Sequence, residues 1–366
     1  MGLYLGLISG TSMDAIDAVL ADFDSFPLRV VAASATPFAP ALKARIAAVV
    51  DAPDRVALDE IGRIDVELAR SFAAAALTLL REAGVGSDRV AALGSHGQTL
   101  RHRPDLEPPF TWQIGDPSTL AELTGITVVA DFRRRDVAAG GQGAPLLPVF
   151  HDHLFRSADE DRVILNLGGI ANITVLKRRA AVTGFDTGPA NRLLDAWISR
   201  HGGREFDEHG AWARSGRSNP ALLARLLDEP YFKLPAPKST GRELFNMGWL
   251  ERKLEGAHLA AADVQATLLR LTARTVAAEV ARQAPGAAIF ACGGGAHNVA
   301  LLEAIAREAA PSRVASTAEL GLDPDYVEAT AFAWFAQRTL AGLPSSAPSV
   351  TGAAGPRILG GVYRHA

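Results

Sequence analysis

Leu3-Tyr4-Leu5-Gly6-Leu7-Ile8-Ser9-Gly10-Thr11-Ser12-Met13-Asp14-Ala15-Ile16-Asp17-Ala18-Val19-Leu20 is the stretch on which the fold turns. An apolar run over 3–8 breaks at Ser9-Gly10-Thr11-Ser12 and a second resumes at Ala15, which predicts two strands joined by a tight turn. A third β-rich run, 28–34, follows, and then Leu58, Ile61, Ile64, Leu68, Phe72, Ala75 and Leu79 recur at helical spacing. Buried strands are expected over 90–93, ending at Gly94-Ser95-His96-Gly97-Gln98, and over 126–130, ending at Asp131. The plan then restarts: 163–167 runs into Gly168-Gly169, and 173–176 reads as the returning strand. Val264, Leu268, Leu271, Thr275 and Val280 mark a helix, 288–291 a strand and 296–307 another helix. Two βββα-type halves are the economical reading, since two copies of several elements each do not make a solenoid.

The length of 366 residues also implies two α/β domains with a cleft between them, the usual place for a ligand. The expected division is 1–131, completed by 350–366, and 132–349. The run 342–356, rich in Pro, Ser and Gly, reads as a surface connection. Hydrophobic residues make up 48% and charged residues 21%, an ordinary globular balance. A formal net charge of −3 gives no general drive toward nucleic acid or an anionic membrane, and no apolar run reaches the roughly 20 residues of a spanning helix. The sole cysteine, Cys292, cannot close a disulfide within the chain, which fits a reducing cytoplasm.

Glycines after apolar strands carry most of the chemistry. Gly10-Thr11-Ser12 offers unobstructed backbone N–H groups and two hydroxyls to a phosphate, although the same residues also suit a plain hairpin. Asp14 and Asp17 beside it are suited to hold magnesium, directly or through water. Asn166-Leu167-Gly168-Gly169 forms a second such turn, and Gly293-Gly294-Gly295 with Asn298 a third, where a base or ribose could lie against the backbone. None matches the P-loop pattern. Asp186, in Gly184-Phe185-Asp186-Thr187-Gly188-Pro189, is placed at the end of a short strand, with Thr187 and Pro189 as helix-start residues. A carboxylate facing a phosphate site can orient and deprotonate an attacking hydroxyl or water. His96, Gln98, Asp131 and Arg133 are candidates for a substrate wall, and Glu328 joins them if its helix borders the site.

Together, Gly10-Thr11-Ser12-Met13-Asp14, Gly94-Ser95-His96-Gly97-Gln98-Thr99, Gln113-Ile114-Gly115-Asp116, Val129-Ala130-Asp131-Phe132-Arg133, Asn166-Leu167-Gly168-Gly169-Ile170-Ala171-Asn172, Gly184-Phe185-Asp186-Thr187-Gly188-Pro189 and Tyr326-Val327-Glu328-Ala329 resemble the anhydro-N-acetylmuramic acid kinase family. That family lies within the sugar kinase, Hsp70 and actin superfamily, and the resemblance spans nearly the whole chain. The family commonly has glycine where this chain has Ala15, implying a stiffer end to the first turn.

The resemblance implies two related actin-like (ribonuclease H-like) ATPase domains, ATP and magnesium as cofactors, and a homodimer. It implies a phosphotransferase that opens 1,6-anhydro-N-acetylmuramic acid with water while phosphorylating O6, in recycling of cell-wall sugar. ATP phosphates are then expected at Gly10, Thr11, Ser12, Met13, Asp14, Ala15, Ile16 and Asp17, the catalytic base at Asp186, and sugar contacts near Arg133 and Glu328. Another kinase of the superfamily, or an ATP-regulated binding protein, is the competing expectation.

Overall fold

The computed structural model describes every residue except Met1, Thr11, Ser12, Asp14, Phe26, Pro53, Asp54 and Ala366. The chain divides into two compact units, Met1–Phe150 with Tyr326–Ala366, and His151–Asp325. These limits differ from the 131/132 and 349/350 boundaries read from the sequence, because the helix 132–138 packs on the strand 110–114 and the helix 327–340 on the strands 3–9 and 90–95, all within the first unit.

The first unit begins with β1 (Leu3–Ser9), β2 (Ala15–Asp22), β3 (Arg29–Pro37), α1 (Pro40–Asp51) and α2 (Leu58–Glu82). It continues through β4 (Val90–Ser95), β5 (Gln98–Arg103), β6 (Phe110–Ile114), α3 (Pro117–Thr124), β7 (Val128–Ala130), α4 (Phe132–Ala138) and α5 (Leu147–Phe155), which leads into the second unit. There follow β8 (Arg162–Leu167), β9 (Ile170–Leu176), β10 (Thr183–Pro189), α6 (Asn191–Gly202), α7 (Ala211–Ser215), α8 (Pro220–Leu227) and α9 (Met247–Leu254). The unit closes with α10 (Ala261–Gln283), β11 (Ala288–Cys292), α11 (Val299–Glu308) and β12 (Val314–Ser316). The chain then returns to the first unit as α12 (Val327–Leu340), α13 (Pro348–Thr351) and β13 (Gly361–Tyr363).

Both sheets follow one plan, as the repeated sequence pattern predicts. The first runs β13-β7-β4-β1-β2-β3 and the second β12-β11-β8-β9-β10. In each, the leading strand is antiparallel to the next in sequence and parallel to the strand on its other side: β1 to β4, β8 to β11. Alternating apolar positions place Leu5, Leu7, Ile16, Ala18 and Leu20 in the first core, where Ile64, Leu68, Phe72, Ala75 and Leu79 of α2 meet them.

On the other face α12 lies directly on backbone. A Cβ at Gly6 would stand 1.9 Å from the Ala329 carbonyl oxygen and one at Gly94 2.0 Å from that of Phe332, and Gly6 and Gly94 are partners in the β1–β4 ladder. Only glycine permits this approach. Phe332 and Phe335 of α12 are fully buried, each contributing about 1.5–3 kcal/mol by burial. In the second unit Val264, Leu268, Leu271 and Val280 of α10 join the core beneath β8, β9 and β10.

Three local expectations change. Asp186 sits within β10, not at its end, and the helix begins at Asn191, because β10 pairs with β9 as far as Pro189↔Ile170. Pro189 is tolerated because β10 is an edge strand. The helix expected over 296–307 starts at Val299, where Asn298 Oδ1 accepts from Leu301 N at 3.0 Å, and a short 3₁₀ turn, Gly294–His297, precedes it. The connection over 342–356 is anchored: Thr351 Oγ1 donates to Asp136 Oδ1 at 2.9 Å, and Gly143 N donates to Asp136 Oδ2 at 2.8 Å. Among the described residues, no helix is long and apolar enough to cross a membrane.

Candidate active site

In the first unit the turn from β1 to β2 is closed by Met13 N donating to Gly10 O at 3.1 Å, with Met13 in the left-handed region at φ 53°. Among the described residues, none other than a chain neighbour lies within 4 Å of where a Cβ on Gly10 would stand. Thr11, Ser12 and Asp14, three of the expected nucleotide contacts, lie outside the described residues. Ala15 and Ile16 begin β2, and Asp17 pairs in register with Ile8.

Ser9 Oγ donates to Gln98 Oε1 at 2.6 Å, joining the end of β1 to the start of β5. The neighbouring His96 is buried, and Arg133 Nε–H donates to its Nε2 at 3.0 Å. An imidazole that accepts at Nε2 carries its proton on Nδ1, which donates to Gly97 O at 2.9 Å. Burial pushes the His96 pKa down to about 3, and the Arg133 guanidinium adds to the shift. Burial also lowers Arg133, to about 10, against the opposing charges of Glu328 and Asp136. Arg133 Nη1 donates to Gly143 O at 2.9 Å, so a half-buried cation is fixed between β4 and the loop after α4.

Glu328, on the first turn of α12, thus belongs to the electrostatic surroundings of Arg133. Asp131 instead pairs with Arg134 Nε at 3.1 Å, and burial raises its pKa. The structure therefore gathers His96, Arg133 and Glu328, ties Gln98 to Ser9, and turns Asp131 to another partner.

In the second unit, Asn166, Asn172 and Asp186 are successive cross-strand partners on β8, β9 and β10, so the three side chains share one face of the sheet. Cys292 pairs with Asn166 from β11. Gly168 and Gly169 form the β8–β9 turn, held by Asn191 N donating to Gly168 O at 3.1 Å and Ala190 N donating to Gly169 O at 3.0 Å. Gly293, at φ 76°, lies against Asn166, and Gly295 against Leu167, where a Cβ would come within 2.5 and 2.6 Å of their side chains. Gly294 between them faces open space. Asn298 is the cap of α11, with its Oδ1 engaged there. The second and third glycine turns are thus brought together.

Asp186 is partly buried. Its Oδ2 accepts from Thr240 N at 3.0 Å, its N donates to Lys238 O at 3.0 Å, and its carbonyl accepts from Tyr231 Oη at 2.7 Å. Burial, helped by the Glu243 charge and opposed by the Thr240 N–H, raises its pKa to about 6. That is a carboxylate ionised at neutral pH yet more basic than one in water, suited to accepting a proton. Sequence reasoning missed Tyr231, Lys238, Thr240 and Glu243. Their signal was slight: a polar run, Lys238-Ser239-Thr240-Gly241-Arg242-Glu243, after two prolines.

Among the described residues, no three His, Cys, Asp or Glu side chains gather into a metal cage. A nucleotide-borne magnesium keeps several waters and needs only one or two carboxylates, so Asp17 is a sufficient kind of donor.

A family model described as anhydro-N-acetylmuramic acid kinase matches residues 2–365. A protein of that name from Xanthomonas campestris pv. campestris is 53% identical over 365 residues, covering 99% of this chain and 97% of its own. One of that name from Coxiella burnetii is 50% identical over 364 residues, covering 98% and 97%. Among solved structures, component A of (R)-2-hydroxyglutaryl-CoA dehydratase from Acidaminococcus fermentans is 13% identical, with a TM-score of 0.50 over 93% of this chain and 100% of that one. At that identity the likeness is one of fold, and the two repeated α/β units have the actin-like architecture expected from the sequence.

Proposed function

The chain belongs to the anhydro-N-acetylmuramic acid kinase family, and from that premise we propose that it converts 1,6-anhydro-N-acetylmuramic acid, ATP and water into N-acetylmuramic acid 6-phosphate and ADP. The reaction serves recycling of cell-wall sugar. One observation within the site supports the chemistry most: Asp186 is oriented by Thr240 N and carries a pKa raised to about 6.

Asp186 takes a proton from water as the water oxygen forms its bond to C1 of the sugar. The C1–O6 bond breaks, and the electron pair left on O6 forms the new bond to the γ-phosphorus, with ADP leaving. Glycoside hydrolysis ordinarily needs an acid for the leaving oxygen as well as a base for water. Here the phosphoryl group takes the place of the proton, so one carboxylate suffices.

Gly10 in the first unit and Gly168, Gly169 and Gly294 in the second supply backbone surface for the nucleotide, while Gly293 and Gly295 let their turn pack against Asn166 and Leu167, with Asn298 beside it. Asp17, with Asp14, would hold magnesium, which when bound would supply positive charge against that developing on the phosphates. Arg133, set by His96, pairs with the sugar's carboxylate, and Glu328 beside it accepts a hydrogen bond from a sugar hydroxyl. The enzyme works in the cytoplasm as a homodimer; light scattering checks the second point. Mass spectrometry of the products from ATP, magnesium and the anhydro sugar tests the reaction. A sugar that gains both water and a phosphoryl group supports it, and a sugar that gains phosphate with its bridge intact refutes it.

A further inference from the structure

We propose that the buried Lys238–Glu279 ion pair, acting with Tyr231, is a positioning frame that holds the Asp186 carboxylate in its reactive orientation. The proposal rests on Asp186 being the base for water. Lys238 Nζ lies 2.7 Å from Glu279 Oε1, with the two side chains 3% and 4% exposed. Desolvation makes such a pair a weak source of stability, so stability alone does not account for it.

What the pair fixes is a loop. The Lys238 ammonium also donates to the carbonyls of Leu234 at 3.3 Å and Tyr231 at 3.5 Å, and stands 5.0 Å from the centre of the Tyr231 ring. Three hydrogen bonds run from this clamped loop to Asp186. Tyr231 Oη donates to its carbonyl at 2.7 Å, its own N–H donates to Lys238 O at 3.0 Å, and Thr240 N donates to Oδ2 at 3.0 Å. Glu279 comes from α10 and is also paired with Arg282 Nη2 at 3.0 Å, so the frame ties the edge strand β10 to the central helix of the unit.

The arrangement has a chemical logic. A lysine bonded directly to Asp186 would stabilise its carboxylate and weaken it as a base. Here the ammonium charge is taken up by Glu279, and Asp186 is oriented through peptide groups instead. The charged and titratable groups around Asp186 are then Glu243, which raises its proton affinity, and Tyr231, while the Thr240 N–H lowers it.

The test compares Lys238→Met and Tyr231→Phe with the unaltered enzyme, alone and in an Asp186→Asn background. Glu279 keeps Arg282 as a partner in Lys238→Met, so its charge is not orphaned. The expected result for Lys238→Met is a fall in kcat of roughly 10–100-fold, the scale for losing a supporting partner of a reactive group, with ATP affinity within about threefold. Its acidic limb in kcat/KM moves to higher pH as the Thr240 N–H bond loosens. Tyr231→Phe moves both in the same direction by less. Neither change lowers the residual rate of Asp186→Asn further.

Unaltered kcat and pH limb in folded Lys238→Met overturns the frame, as does a full additional loss on top of Asp186→Asn. Should Lys238→Met not fold, Tyr231→Phe, which removes a single hydroxyl, decides by the same two readings. Near-normal turnover of Asp186→Asn overturns the base assignment itself, an outcome distinct from an inactive Asp186→Asn beside an unaffected Lys238→Met.

Discussion

Arg133 Nε–H donates to His96 Nε2 at 3.0 Å, and that bond fixes the imidazole as neutral with its proton on Nδ1. The His96 pKa is about 3 in the folded protein against an ordinary 6.5, so below pH 6.5 the unfolded chain takes up a proton that the folded one refuses. The stability contribution is complete above pH 6.5 and is lost as pH falls toward 3, by about 1.4 kcal/mol per pH unit. Between pH 7.5 and 5.0, urea unfolding of His96→Gln should lose about 2 kcal/mol less than the unaltered protein. Equal losses contradict the assignment of a neutral, buried imidazole.

Asp186→Asn should lower turnover by on the order of 10²–10⁴ with nucleotide binding kept, the scale for losing a general base. In the unaltered enzyme kcat/KM should rise with pH through about 6, where Asp186 loses its proton, and level off above. Because the folded pKa lies above the ordinary 3.8, the ionised group opposes folding at neutral pH. Asp186→Asn should therefore be more stable at pH 8, by about 1 kcal/mol after allowance for partial exposure. A rate profile with no acidic limb near 6 counts against the role.

Gly10 and Gly294 separate ligand contact from folding. Among the described residues, a methyl group at either position meets none but chain neighbours within 4 Å, so Gly10→Ala and Gly294→Ala should fold with melting temperatures close to the unaltered protein's. Each should weaken ATP binding by roughly tenfold or more, since 1.4 kcal/mol of lost close approach is already a factor of ten. Unchanged nucleotide affinity in calorimetry removes the corresponding turn from the nucleotide site.

The hairpins at β1–β2 and β8–β9, the stripe of α2 and the core face of α10 were legible because each is a local alternation or a helical period. What was illegible depended on distant residues. Thr187 and Pro189 read as helix-start residues after Asp186, and only the edge position of β10 makes Pro189 compatible with a strand. Thr240 reaches Asp186 across 54 residues, and Thr351 reaches Asp136 across 215, separations that no periodicity encodes. The allegiance of α12 to the first unit was hidden for the same reason, although its signature was present in Gly6 and Gly94.

Those two glycines give a packing test. Gly6→Ala would place a methyl carbon 1.9 Å from the Ala329 carbonyl oxygen, a clash with backbone that rotamer changes cannot relieve. A loss of about 3 kcal/mol or more is expected, at the upper end for overpacking, with a fall of several degrees in melting temperature. The displaced α12 carries Glu328, so the KM for the sugar should rise as well. An unaltered melting temperature contradicts the close approach of helix and strand.

Water attacks C1 while O6 takes the phosphoryl group, and oxygen-labelled water reads this directly. With ATP, magnesium, the anhydro sugar and labelled water, the label should appear on C1 of N-acetylmuramic acid 6-phosphate, with none in its phosphate. Label in phosphate, with the anhydro bridge intact, would show that the protein only hydrolyses ATP and would contradict the account.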